Sequence, residues 1–454
     1  MIAEGKSLPP TRQLIFLFGF LLLRLALVAL PLRNPEGGIL LDSTKYIALA
    51  SSLVNTGRYA EATGQDVIWP PGYPVFVAVA SAWSQTSPAG VALAQLGLTC
   101  AIGILLVALT SRLANPEAAQ TAGWLYALSP AAALWALTVM SETLFAAFLV
   151  ASALAWVTAL RRRSAAWGWV CGILLGIGAL VRPLGLVLVP LWCLATLIGV
   201  SRWGQRPLAA RLGLAIGLGA IVVAVPWAAR NLIVHGHFTF SGVAGRTFYN
   251  FNIAQVKATA EHTTRDVAAS QIGASGSEFR DSLDVISDYP FAFVYEQVKG
   301  VFRTTLGLEA GSWARLLGYP EALRGGLGVV STLLTGDITG SLLKVRSLLS
   351  SPQTAPILGV AAVAEAHSFV LYALVIVLLV YRRERAGGIV SIGLGLSVAL
   401  LMLVPAAAGQ ARFRIPAEPF LAFLAASGWQ ILRAKLSQRR PDTPGALAAS
   451  TSQL

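Results

Sequence analysis

The chain has 454 residues, of which 56% are hydrophobic and only 12% charged, and it carries a net charge of +13. Soluble globular domains carry about 25% charged residues, so this composition, with its many long apolar runs, excludes a soluble domain and puts the chain in a membrane. A basic excess in such a chain points to topology before nucleic acid, and its distribution between the loops tests that.

Lys6 and Arg12 precede an apolar run from Leu14 to Leu30. The run is long enough to span, and no small-residue cleavage pattern follows, so it reads as an uncleaved first span. Roughly ten spanning helices are predicted, near 13–32, 89–111, 117–131, 143–160, 166–181, 184–200, 209–227, 356–381, 388–405 and 415–432. Pro74 to Trp83 is too short to span and follows Trp69-Pro-Pro-Gly-Tyr-Pro74, so it reads as a re-entrant or interfacial segment. Two large outer loops result, at about 33–88 and 231–355. The first holds a helical pattern from Ser43 to Val54, with Ile47, Ala50 and Val54 on one face, expected along the membrane surface. The second mixes amphipathic pieces such as Phe279 to Thr305 with Gly-rich connectors, and residues 433–454 read as a cytoplasmic, disordered tail.

With the N-terminus inside, the inner segments hold 16 of the 34 basic residues and 4 of the 21 acidic ones, a net +12 of the +13. The charge is therefore topological, and no nucleic-acid partner follows from it. Segment 231–355 carries 10 basic and 10 acidic residues. Cys100, Cys171 and Cys193 lie in apolar runs without metal or disulfide spacing.

What remains is a small set of charges at the outer ends of spans: Asp42, Glu142, Arg182, Arg230, Arg412 and Arg414. Arginine is disfavoured there by topology, and ionisable groups at membrane depth tend to mark a substrate site. Arginine forks match phosphate oxygens, and a carboxylate beside them can serve as a general base. Duller readings stand beside this one. Asp42-Ser-Thr has the look of a helix N-cap, Ser141-Glu142 of another, and Arg182-Pro183 of a helix break. Arg24, inside the first span, calls for a partner on a neighbouring helix. His235 and His237 lack nearby carboxylates, so a divalent metal is not the expected reading, and no cofactor is expected.

The ordered set resembles the polyprenyl-phosphate-dependent GT-C glycosyltransferases, with protein O-mannosyltransferases, lipid A aminoarabinose transferases and rhizobial core transferases as the nearest groups. Five segments carry the resemblance: Asp42-Ser-Thr-Lys-Tyr-Ile-Ala-Leu-Ala50 with Asn55-Thr-Gly-Arg-Tyr59; Trp69 to Pro74; Ser129-Pro130 leading to Ser141-Glu-Thr143; Pro226-Trp-Ala-Ala-Arg-Asn231; and Arg412-Phe-Arg-Ile-Pro416. It implies an all-α integral membrane fold, a single GT-C type bundle over residues 1–432. It implies inverting transfer of a sugar from a polyprenyl-phosphate donor to a glycan, lipid or protein acceptor at the outer face of a bacterial plasma membrane. In such enzymes the acid after the first span, here Asp42, is the base, and the acid before the fourth span, here Glu142, shares its cavity. Arg230 and Arg412, then Arg414 and Arg182, are the candidates for the lipid phosphate. Lys45, Tyr46, Tyr59, Trp69, Tyr73 and Asn231 complete the substrate-binding set. The chain departs from the pattern in having Ser43 rather than a second acid after Asp42, Glu rather than Asp at 142, and no large C-terminal domain. A transporter or flippase of lipid-linked saccharide is the competing reading, favoured by broken helices and repeat symmetry at the midplane; a non-catalytic assembly subunit is a third.

Overall fold

The computed structural model describes residues 10–438 except 61–68, 83–86, 203, 243–244, 246, 273–276, 308, 320–337, 353 and 382–387. The tail beyond 438, Lys6, Trp83 and the arginines Arg382, Arg383, Arg385, Arg439 and Arg440, expected on the inner side, lie outside the described residues.

All regular elements described are helical. Four are long and apolar enough to cross a bilayer: α5 (Pro88–Leu113), α8 (Glu142–Arg162), α11 (Arg206–His235) and α18 (Ala355–Tyr381). The other expected spans fall on helices that are shorter or less apolar. The first is two pieces, α1 (Pro10–Leu25) and α2 (Ala29–Arg33), joined by a turn. The third is α6 (Pro116–Ala127) followed by α7 (Pro130–Ala136). The break there has a local cause: Ser129 caps α7 through the Ala132 N–H at 3.0 Å, and Pro130 occupies its first turn. α9 (Ala165–Val181), α10 (Gly185–Ser201), α19 (Gly388–Leu403) and α20 (Glu418–Gln438) complete the bundle. α11 runs eight residues beyond the expected end of its span at 227, to His235.

Close helix contact rests on small residues, as expected where lipid supplies no hydrophobic drive between helices. Gly168, Gly172 and Gly176 of α9 face α11, and a Cβ at Gly172 would run into the Ile216 carbonyl. Gly428 of α20 likewise admits the Leu374 carbonyl of α18. Deeper in, Trp156 and Trp192 stack at 4.8 Å, and their indole N–H groups donate to Thr196 and Ser397 at 2.8 Å each, tying α8, α10 and α19.

The chain order makes consecutive helices run antiparallel. One end of the bundle therefore collects the end of α9 and the starts of α8 and α20. The other end collects Arg161, Arg162 and the exposed Arg433–Glu117 pair at 2.9 Å.

At the first of these ends lie α3 (Leu41–Thr56) and α4 (Gly72–Ala80). α4 is nine residues, short of a span, as expected for the Pro74 segment. α3 buries Ser43, Leu49 and Ala50, with Tyr46 and Ile47 packed on the core, so of the expected Ile47–Ala50–Val54 face the first two turn inward. Val54 is 56% exposed. The segment after α11 forms a π-helical turn (Phe248–Ile253), α12 (Ala254–Ala260), α13 (Arg265–Gln271), α14 (Glu278–Asp288), α15 (Pro290–Leu306), α16 (Ala310–Leu316) and α17 (Ile338–Ser350).

Candidate active site

Asp42 is the second residue of α3 rather than its cap, and the Leu40 N–H is taken by Ser43 Oγ at 2.9 Å. Ser43 Oγ also donates to the Val139 carbonyl at 2.8 Å, and the Val139 N–H donates to the Gly38 carbonyl at 2.9 Å. These two bonds lock the start of α3 to the segment entering α8. From the other side, Arg315 of α16 donates to the Ile39 carbonyl at 2.9 Å, and Asn34 donates to the Arg315 carbonyl at 2.9 Å. Both long loops thus fix where Asp42 stands.

Glu142 opens α8 and is fully buried. Its Oε1 accepts from Arg182 Nη1 at 2.5 Å and lies 3.9 Å from Arg412 Nε. Arg182 also donates to Ser141 Oγ at 3.2 Å, so Ser141 serves the arginine rather than capping α8. Arg182 is placed by the helix break: its extended backbone, before Pro183, turns the side chain back across the end of the bundle. Arg412 Nη1 donates to Asp42 Oδ2 at 2.8 Å. The Arg182 and Arg412 guanidinium groups both lie over the Phe413 ring, at 5.4 and 5.1 Å from its centroid. Two carboxylates and two guanidiniums from four distant parts of the chain therefore form one cluster. Within it Asp42 is 38% exposed, whereas Glu142 is at 0%. Burial pulls the Arg412 guanidinium down, but Glu142 and Asp42 more than offset this and hold its pKa above the ordinary value.

An aromatic wall adjoins the cluster. Tyr46 meets Tyr73 edge-on at 4.7 Å and Trp69 at 5.8 Å, and Lys45 Nζ sits 4.5 Å from the Trp69 ring centroid. Tyr59 donates to the Trp69 carbonyl at 3.1 Å and packs on Trp227. Burial pushes the Tyr46 phenol up, so it stays a neutral donor beside the carboxylates. Tyr73 faces inward, donating to Gln95 at 3.3 Å.

The remaining candidates lie apart. Arg230 stacks on Trp227 at 5.0 Å, donates to Asn231 Oδ1 at 3.0 Å and meets His235 Nε2 at 3.1 Å. Contacts through Trp227, Tyr59, Trp69 and Tyr46 connect it to the carboxylate cluster. Asn231 is buried and pins the chain after α11, donating to the Thr239 carbonyl at 2.8 Å. Arg414 lies on the far side of the 3₁₀ segment Ala411–Ala417, because at three residues per turn positions two apart diverge. It is 2% exposed and pairs with Glu365 of α18 at 2.9 Å, with Glu418 at 3.9 Å, while donating to the Thr305 carbonyl at 2.9 Å. Ser129 Oγ closes this second cluster on Glu418 Oε2 at 2.5 Å. Replacing Arg414 with Met leaves two buried carboxylates without their cation. We expect a loss of about 3–5 kcal/mol, read as a lower unfolding midpoint in detergent. The exposed Arg433→Met is expected to change the midpoint little.

Glu309 carries no signal in the sequence that marks it for this site. It stands in the short link between α15 and α16 with φ +47°, a left-handed backbone rare outside glycine. Ser312 Oγ donates to its carboxylate at 3.1 Å. Burial pushes its carboxyl up, against the pull of Ser312, Arg412 and Arg414, which places it between the two clusters. Arg24 is 2% exposed, over the Phe20 ring at 5.0 Å, and its guanidinium has no hydrogen-bond acceptor among the described residues. Among the described residues no three His, Cys, Asp or Glu side chains converge as a metal site.

Residues 69–229 match the family model of dolichyl-phosphate-mannose-protein mannosyltransferases. No curated protein matches the chain in sequence. Among solved structures, the apo oligosaccharyltransferase of Archaeoglobus fulgidus superposes with a TM-score of 0.52 at 15% identity, over 93% of this chain and 51% of that one. The same organism's oligosaccharyltransferase AglB, in complex with an inhibitory peptide and a dolichol-phosphate, gives 0.52 at 13% identity, over 96% and 53%. ArnT from Cupriavidus metallidurans, bound to undecaprenyl phosphate, gives 0.42 at 15% identity, over 95% and 81%. The chain spans about half the length of the archaeal structures it matches. The chain has the GT-C fold of the archaeal oligosaccharyltransferase, and residues 69–229 resemble the dolichyl-phosphate-mannose-protein mannosyltransferase family.

Proposed function

From a GT-C fold with two acids and two arginines joined at one end, we propose that the protein is a membrane glycosyltransferase. It takes a sugar from a polyprenyl-phosphate donor and transfers it, with inversion, to a hydroxyl or amine of an envelope glycan, glycolipid or protein. In this proposal the reaction runs at the outer face of a bacterial plasma membrane, with both termini cytoplasmic.

The observation that carries this reading is the unequal exposure of the two acids. Asp42 is reachable and held by Arg412, while Glu142 is sealed beneath it and held by Arg182. An open carboxylate is fit to take a proton, and a sealed one to hold cations in place. In the proposed step the acceptor oxygen or nitrogen attacks the anomeric carbon and its proton passes to Asp42. The bond from that carbon to the phosphate oxygen breaks, and its electron pair leaves with polyprenyl phosphate. Arg412 and Arg182 face the growing charge on that phosphate. The phosphate competes with Asp42 for Arg412, so donor binding itself frees the base. Arg230 and Lys45, further along the aromatic wall, are placed to meet the donor at the rim, and Tyr46, Tyr59 and Trp69 offer ring faces and hydroxyls to the sugar. No metal is invoked.

The test uses purified protein in lipid nanodiscs with a panel of polyprenyl-phosphate hexoses and pentoses and mixed envelope acceptors. Release of polyprenyl phosphate coupled to a glycosylated acceptor is the expected result. If proteoliposomes instead carry labelled donor across the bilayer while no donor yields polyprenyl phosphate, the protein is a flippase. The short helices and the turn after α1 are what favour that second reading.

A further inference from the structure

Two helices of the segment between α11 and α18 carry their polarity inside out. Along α15 the buried residues are Glu296, Gly300 and Thr304, a stripe at i, i+4 and i+8 that is polar or bare. Phe291 is 89% exposed and Val294 58%, and Val298 and Phe302 are about half exposed. α17 repeats the pattern in its first half, with Ser341 buried and Ile338, Leu342 and Leu343 each at least 60% exposed, while Arg346, Ser347 and Ser350 are the exposed residues of its second half beside Leu349. In water an amphipathic helix turns its apolar stripe to the core. The opposite arrangement is favourable only where the surroundings are less polar than the interior.

The buried polar stripe of α15 is supplied from within the protein at Glu296 Oε1, while Glu296 Oε2 and Thr304 Oγ1 have no hydrogen-bond partner among the described residues. Glu296 Oε1 accepts from Lys299 Nζ and from Thr259 Oγ1, both at 2.8 Å. The neighbouring Gln297 accepts from the Ala407 N–H at 3.1 Å, and Gly409 rests directly on Gly300. The exposed apolar stripe continues a surface already turned to lipid. α15 packs against α19, where Ile392, Leu396 and Leu403 are exposed. The Thr305 carbonyl accepts from Tyr372 of α18 at 3.1 Å, and Phe369, Val370 and Ile376 of that span are more than half exposed or at half.

We infer that α15 and the first half of α17 sit in the hydrocarbon of the leaflet on the site's side of the membrane, with their apolar faces against acyl chains. The segment read from sequence as an outer loop is then in part a wall of the membrane domain. α15 has one face in lipid and the other against the backbone that leads into Arg412. This inference rests on the membrane reading and not on sugar transfer, so no substrate enters its test.

Single cysteines at Val294, Phe302 and Leu342 are introduced into the full chain with Cys100, Cys171 and Cys193 replaced by Ala, spin-labelled and placed in lipid nanodiscs. Oxygen accessibility is expected to exceed that of a water-soluble nickel chelate several-fold at all three, as at a label on Phe369, with the reverse at Asp284 on α14. The inference is overturned if the nickel chelate dominates at Val294 and Phe302. It is equally overturned if both reagents are excluded, as burial under a second copy or a protein partner would give. The unmodified protein supplies an independent measure in bilayers whose acyl chains carry a diazirine. Crosslinks between Phe291 and Phe302 are expected alongside those at Phe369, and their absence there while Phe369 is labelled overturns the inference.

Discussion

Asp42→Asn is expected to slow sugar transfer about a thousandfold, within the range of about 10²–10⁴ that a positioned general base contributes. The substitution keeps the shape of the side chain and an oxygen able to accept from Arg412, so the 2.8 Å contact has a neutral counterpart. It removes the basicity that the acceptor's proton requires. Asp42 is 38% exposed and Arg412 keeps Glu142 at 3.9 Å, so no buried charge loses its last partner and the fold should be unchanged. The loss should therefore fall on kcat. The donor's KM should hold or drop, since Arg412 is released from a competing carboxylate. Glu142→Gln should behave differently. It strips the counter-charge from Arg182 at a fully buried position, so stability and donor affinity should fall together with the rate. Steady-state kinetics over a donor concentration series separates the two variants. A D42N rate within fivefold of wild type would sink the base assignment.

These two acids stand out in the bare sequence because of the solvent the chain folds in. With only 12% charged residues, each ionisable side chain away from the inner loops is conspicuous, because the membrane penalises every one of them. Asp42, Glu142, Arg182 and Arg412 are all conspicuous in this way, and they are the four that converge. Their pairing is not legible. Arg412 and Arg414 are equivalent as sequence, and only the 3₁₀ path of residues 411–417 sends one to Asp42 and the other to Glu365. Arg230 is as conspicuous as Arg412, yet its reach depends on how far α11 extends, and α11 extends past it to His235. Glu309 lacks any periodic signal, since it acts from a short link whose geometry rests on a single positive φ. The same limit hides the first helix break and the reversed polarity of α15. Hydropathy marks a stripe as apolar without saying which side of it is the interior.

Arg412→Lys should lower kcat/KM for the donor by about a hundredfold to a thousandfold, the loss typical of removing one aimed donor at a developing anion, roughly 2.7–4 kcal/mol. The charge is conserved, so electrostatics alone predicts little change. Geometry predicts the loss. Arg412 uses Nη1 on Asp42 at 2.8 Å while its Nε lies 3.9 Å from Glu142, two points of a planar fork that spans both acids at once. A lysine ammonium is a single point on a flexible stem. It can serve one carboxylate or the donor phosphate, and it cannot present two parallel N–H groups to that phosphate. A lysine bound to Asp42 would also have to leave it entirely to meet the donor, whereas the arginine can pivot. Stability should change little, because Glu142 keeps Arg182 at 2.5 Å. The same variant should weaken product inhibition by polyprenyl phosphate in proportion to kcat/KM, since one guanidinium holds that group before and after transfer. Parallel loss in the two measurements identifies Arg412 as the phosphate ligand. Loss of kcat/KM with unaltered product inhibition would instead confine Arg412 to orienting Asp42 and leave the lipid phosphate to Arg182 and Arg230.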